Sequence, residues 1–147
     1  MDAKDRKLVQ LLERDATVSS NALAKELGMS PATVRRRIAG LIENNVVRII
    51  AVVDPSKVGF PLAAIISLEV DLEKQDLCIQ ALNDRPEVRW LSTNTGRSNV
   101  VAVAQFVNTD ELADFTENQL AKIEGIKHFE TSIILRREKA HYVLGVL

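Results

Sequence analysis

In the first third of the chain, apolar residues recur at helical spacing. Leu8, Leu11 and Leu12 mark the buried stripe of one helix, with Asp2 placed to cap it and Asp5 in its first turn. Leu23, Ala24 and Leu27, then Val34, Ile38 and Leu41, carry the i, i+3, i+4, i+7 rhythm over two more segments. Asp15 to Val18 is a short connector, and Ser19 or Ser20 caps the second helix. Gly28 can take the positive φ that ends it. Ser30 caps the third helix and Pro31 suits its first turn, so a helix is predicted from about Pro31 to Asn44, with Asn45 as a left-handed stop. The period then changes. Val46 to Val53 is β-branched and predicts an extended strand, placed after three helices like the wing of a winged helix. Asp54 to Pro61 holds two prolines and a glycine and reads as a boundary. The predicted division is 1–53, a hinge at 54–61, and 62–147.

The second half alternates differently. Ile66, Leu68, Val70 and Leu72 interleave with Ser67, Glu69 and Asp71, a strand with one wet face. A helix is predicted over Glu73 to Asn83 with Leu77, Cys78, Ala81 and Leu82 inward, then a strand over Val88 to Thr95 and a turn at Gly96 to Asn99. Val100 to Val107 is a nearly continuous apolar strand. Asn108 with Glu111 opens a helix through Leu112, Phe115, Leu120 and Ile123, and Ile126 to Leu135 returns as a strand. The order β-α-β-β-α-β is that of a ferredoxin-like split βαβ, and the whole chain is predicted as α+β. A strand apolar on both faces needs a cover on each, and a symmetric copy of the same sheet is the simplest second cover. The apolar tail His141 to Leu147 is expected to join that interface.

Charge sharpens the division. Residues 1–53 carry nine Lys/Arg against six Asp/Glu, a balance of +3, whereas the remainder balances at −4. A basic front and an acidic back fit a nucleic-acid-reading module joined to one that does not touch nucleic acid. No apolar run is long enough to span a membrane, no secretory signal is visible, and Cys78 as sole cysteine excludes an internal disulfide. A cytoplasmic, nucleoid-associated location is expected. His128 and His141 are too far apart to suggest a metal site by themselves, and no cofactor is expected.

The arginine-rich third helix supplies the candidate chemistry. A helix-turn-helix places such a helix in the DNA major groove. Ser30, Ala32, Thr33, Arg35, Arg36 and Arg37, with Arg48 in the following segment, are the candidate contacts to double-stranded DNA. Thr33 and Arg36 suit base edges. Arg35, Arg37 and Ser30 suit phosphates, and Arg37 alternatively braces the domain by a salt bridge. The bland alternative is a solvated charged face on an ordinary helical bundle.

The chain resembles the Lrp/AsnC family of regulators over nearly its whole length. The resemblance is carried by Asp5-Arg6-Lys7-Leu8, by Leu23-Ala24 through Leu27-Gly28-Met29-Ser30-Pro31 to Arg36-Arg37-Ile38, by Asp54-Pro55 to Gly59, and by Pro86-Glu87-Val88, Thr95-Gly96 and Gly125-Ile126. It implies a transcription regulator that dimerises through its ferredoxin-like domain, builds tetramers or octamers, and binds an amino acid or related metabolite between such domains. The family loop Gly-x-x-Asp corresponds to Gly96-Arg97-Ser98-Asn99, with Asn99 in place of the acid. An amide hydrogen-bonds but cannot ion-pair an α-ammonium. By matching position, Thr93, Thr109, Ser132 and Ile133 complete the implied effector-binding set. Two other readings are an architectural DNA binder with no effector and a sirohaem-decarboxylase-like enzyme on the same fold. The enzyme reading needs histidines near the second and third strands, where this chain has Ser92-Thr93-Asn94 and Ser98-Asn99-Val100.

Overall fold

The computed structural model describes residues 1–138. The chain divides into two compact units, Met1–Ala51 and Val52 onward. The first contains α1 (Ala3–Arg14), α2 (Ser20–Leu27) and α3 (Pro31–Glu43). Each helix starts at a side-chain cap. Asp2 and Asp5 form a reciprocal capping box, Ser19 accepts from the Ala22 N–H, and Ser30 accepts from the Thr33 N–H. Gly28 closes α2 at φ 60°, and Asn45 follows α3 at φ 56°, both left-handed. Leu8, Leu11, Leu12, Leu23, Ala24, Leu27, Val34 and Leu41 form one buried cluster, with Ile38 packed against it.

The segment expected to form a wing strand is not a strand. Residues 48–53 have no regular structure, and Val46, Ile49, Ile50, Val52 and Val53 are all exposed. β-branched residues favour an extended backbone, but a strand exists only when another strand takes its hydrogen bonds. None among the described residues does so.

The second unit opens with a short 3₁₀ turn, Pro55–Val58, capped by Asp54 and closed by Gly59. Its sheet comprises β1 (Leu62–Val70), β2 (Val88–Thr93), β3 (Val100–Phe106) and β4 (Ile126–Ile133), antiparallel in the order β2-β3-β1-β4. The helical connections are α4 (Gln75–Asn83) and α5 (Thr109–Asp114), the latter running on as a π turn over Phe115–Gln119 and a 3₁₀ turn over Leu120–Lys122. The elements follow one another along the chain in the predicted order β-α-β-β-α-β.

Directly paired residues of an antiparallel sheet share a face. Ala64, Ile66, Leu68 and Val70 of β1 and Val100, Ala102, Ala104 and Phe106 of β3 are buried on the helix side, packed with Cys78, Leu82, Leu112, Phe115 and Leu120. Phe106 and Phe115 rings meet at 5.4 Å and 60°. Burial of Cys78 raises its thiol pKa and suits a core role. Leu77, predicted inward, is 60% exposed, because α4 turns only its Cys78–Leu82 edge to the sheet. Leu72 falls in a 3₁₀ turn, not in a strand, and is exposed. Gly125 sits at φ 94°, and a Cβ there would lie 2.6 Å from the Lys74 Cβ, so only glycine fits.

The opposite face of the sheet is half open. Trp90, Val101, Val103, Ser67 and Gln105 are half-buried there, and Ile65 is exposed. The tail from His141 lies outside the described residues.

Candidate nucleic-acid interface and effector loop

The helix-turn-helix geometry sets the three arginines of α3 apart. Val34 is fully buried, which rotates Arg35 and Arg36 into solvent. Neither takes part in an ion pair among the described residues. Arg37 points elsewhere. Its Nη1 donates to Asp2 Oδ2 at 2.7 Å and to Asp5 Oδ1 at 2.6 Å, tying α3 to the start of α1. The same carboxylates cap α1. Hydrogen bonds from backbone N–H groups, and then from Arg37, hold both aspartates below their ordinary pKa, and the two carboxylates raise that of Arg37. Arg37 is thus committed to an internal brace.

Thr33 is half-buried, and its hydroxyl lies 2.8 Å from that of Ser30, the α3 cap. Ala32 is exposed beside them, so the amino end of α3 presents a small, polar surface. Arg48 is exposed in the irregular segment after α3.

The implied effector residues form no single cluster within the chain. Thr93 pairs with Val100 at one end of the sheet, on edge strand β2. Ile133 pairs with Ala64 at the other end, on edge strand β4. At usual strand dimensions they lie on the order of 13 Å apart along the strands and 14 Å across them. Ser132 and Ile133 are neighbours on one strand and face opposite sides of the sheet. Thr109, at the start of α5 just beyond β3, belongs with the Ile133 end. The Gly96–Asn99 loop belongs with Thr93.

Within that loop, Gly96 takes φ 105°, and Arg97 is exposed with Nε 3.6 Å from Glu69 Oε2. Such an exposed pair contributes little. The Asn99 side chain is occupied: Oδ1 accepts from the Val70 N–H and Nδ2 donates to the Val70 carbonyl, both at 2.8 Å. These two bonds fix the side chain on β1 and leave one Nδ2 N–H and one Oδ1 lone pair of the amide, so Asn99 keeps its place in the implied effector set. Sequence reasoning missed this bond pair because residues 70 and 99 are distant in the chain.

Thr131 lies on the helix side with its hydroxyl buried and unpartnered. His128 lies 3.8 Å from Glu130 on the open face. No group of His, Cys, Asp and Glu among the described residues is arranged to hold a metal, and no helix among them is long and apolar enough to cross a membrane.

The AsnC-type helix-turn-helix domain signature matches residues 1–42, and the Lrp/AsnC ligand binding domain signature matches residues 63–144. An HTH-type transcriptional regulator of Pyrococcus furiosus is 31% identical over 97% of this chain and 97% of its own length. The HTH-type transcriptional regulator LrpA of Pyrococcus horikoshii is 29% identical over 95% of this chain and 99% of its own. Among solved structures, a Neisseria meningitidis transcriptional regulator in complex with L-Met superposes with a TM-score of 0.89 at 22% identity, covering 95% of this chain and 93% of that one. AsnC of E. coli gives a TM-score of 0.87 at 22% identity, covering 95% of each chain. These two share the fold, and the sequence relatives are regulators of transcription, not enzymes. The chain belongs to the Lrp/AsnC family of transcriptional regulators, with an AsnC-type helix-turn-helix unit followed by an Lrp/AsnC ligand-binding unit.

Proposed function

We propose that this regulator reads double-stranded DNA with α3 and answers to an amino acid or related carboxylate held at an interface between copies of its ligand-binding unit. The observation that carries the first half is the contrast along α3. Arg35 and Arg36 stand in solvent with their guanidinium groups uncommitted, while Arg37 is spent on Asp2 and Asp5. A guanidinium in the major groove can make a bidentate contact to guanine, and one beside the groove neutralises phosphate. Arg36 and Thr33 are assigned to base edges, and Ser30, Ala32, Arg35 and Arg48 to the backbone and its surroundings.

The effector half rests on placement. Thr93 and the Gly96–Ser98 loop lie at one end of the sheet, Thr109, Ser132 and Ile133 at the other. A ligand touching both sets sits between copies, where one chain's loop meets another chain's far end. The backbone N–H groups of the loop and the Arg97 guanidinium suit a carboxylate. The neighbouring fold solved with L-Met makes an amino acid the first class to test. The half-apolar open face around Val101, Val103 and Trp90 is the natural contact between two copies. Each copy added links another modest DNA module to the same duplex and so multiplies effective affinity. Paired recognition helices would favour palindromic half-sites about 34 Å apart, or a multiple of that.

Fluorescence anisotropy of the full chain with a palindromic duplex library, across a salt series, tests the DNA half. Binding that weakens steeply with salt and selects a half-site motif supports it, and no binding at low salt overturns it. Thermal unfolding with each amino acid tests the effector half. A shift with at least one of them supports it, and none overturns it.

A further inference from the structure

Asn99 fastens the β2–β3 loop to two other elements. Its side-chain amide exchanges two hydrogen bonds with the main chain of Val70, the last residue of β1, one as acceptor and one as donor, each 2.8 Å. Two facing residues of an antiparallel ladder make the same bond pair with their backbones. Here the β1–β3 ladder has already ended at Leu68 and Val100, and a side chain carries the pairing on to Val70. The main-chain carbonyl of Asn99 does further work. It accepts from the Asn94 N–H at 2.9 Å, which closes the loop on itself, and from Gln75 Nε2 of α4 at 3.3 Å. One residue therefore joins the end of β1, the first turn of α4 and both ends of the loop.

We propose that Asn99 is a positioning residue that holds the Gly96–Ser98 loop in shape; this rests on the reading of that loop as part of the effector site. The role is specific to an amide. An ionised aspartate has acceptors only. It would keep the Val70 N–H but set a carboxylate against the Val70 carbonyl. Glutamine carries the same groups one methylene further out, past the reach of two simultaneous bonds. Where the family resemblance leads one to expect an acid, this chain has the side chain that both donates and accepts. The anchor is consequently uncharged and indifferent to pH across the physiological range.

The test is residue-resolved amide hydrogen exchange on the full chain, comparing wild type, Asn99→Ala and Asn99→Asp. In Asn99→Ala, the Val70 amide and the loop amides exchange about tenfold faster or more, while Ala102 in the centre of the sheet keeps its protection. In Asn99→Asp, the Val70 amide stays protected at pH 7 and the loop amides speed up. Their protection factors recover as the buffer is taken below about pH 4, where the introduced carboxyl takes up a proton and regains a donor. A side chain that merely fills space gives no such recovery. Unchanged protection at Val70 and in the loop of Asn99→Ala overturns the proposal, as does Asn99→Asp with pH-independent loop protection. The amino-acid thermal-shift panel on the same three proteins separates the two readings. A wild-type shift that needs about tenfold more of the same amino acid in Asn99→Ala supports positioning for the effector. Faster loop exchange with no wild-type shift from any amino acid leaves the anchor in place and removes the effector assignment.

Discussion

The two units bury their cores by different means. The first packs eight residues from three short helices, and side chains near in sequence fix each helix end: Asp2 with Asp5, Ser19 with Ala22, Ser30 with Thr33. The second builds a larger core on one face of a four-stranded sheet and leaves the other face half exposed. The helical unit fixes its helix starts through side chains three residues apart, and leaves Val46, Ile49 and Ile50 exposed after α3. The sheet unit completes its ladder over long separations and leaves half-buried apolar residues on its open face.

The strongest way to break this contrast is in the larger core. Phe106→Ala removes a fully buried ring that packs at a tilt against Phe115, and should cost roughly 3–5 kcal/mol. The leucine cluster of the first unit shares no side chain with that core. Calorimetry should therefore show the second unit's transition falling while the first holds; a single transition moving as a whole would merge the two.

Next in size is the open face. Val103→Glu places a charge among half-buried apolar neighbours without touching the helix-side core. We expect association between copies to weaken more than tenfold, read by analytical ultracentrifugation, with the circular dichroism spectrum unchanged. A variant that still assembles like wild type would place the contact elsewhere.

A smaller effect separates the brace from the reading surface. Asp5→Asn loses the charge that holds Arg37 and weakens the capping box, so the first unit's melting temperature should drop by several degrees. The pH dependence has a definite sign. Asp2 and Asp5 have depressed pKa values when folded, so their contribution is complete above the ordinary value of 3.8 and disappears as pH falls through the lowered values. The acid limb of the first unit's stability curve should flatten in Asp5→Asn, and an unaltered limb would contradict the brace.

How much was legible follows the same division. Gly28, Ser30, Pro31 and Asn45 announce the helix boundaries because capping and left-handed turns are decided within a few residues. The order of strands was legible from the alternation of periods. Val46 to Val53 misled, since β-branched composition signals an extended backbone but says nothing of a hydrogen-bonding partner. Leu77 misled because an apolar residue on a two-sided helix can belong to either side. Arg37 was legible only as an alternative, and Asn99 as an anchor was not legible at all. Both are settled by partners 29 to 35 residues away, where periodicity carries no information.

In the proposed division of labour, Arg35 and Arg36 of α3 read DNA while Arg37 holds the helix in place. Equilibrium binding of the full chain to its selected duplex, with Arg36→Ala and Arg37→Ala measured over a salt series, tests it most directly. Arg36→Ala should lose roughly 1–3 kcal/mol of binding, relax discrimination at one base position and leave the melting temperature unchanged. Arg37→Ala should lower the melting temperature while keeping the salt slope of the folded protein. An Arg36→Ala variant that binds and discriminates like wild type, with Arg37→Ala losing a phosphate contact from its salt slope, would contradict it.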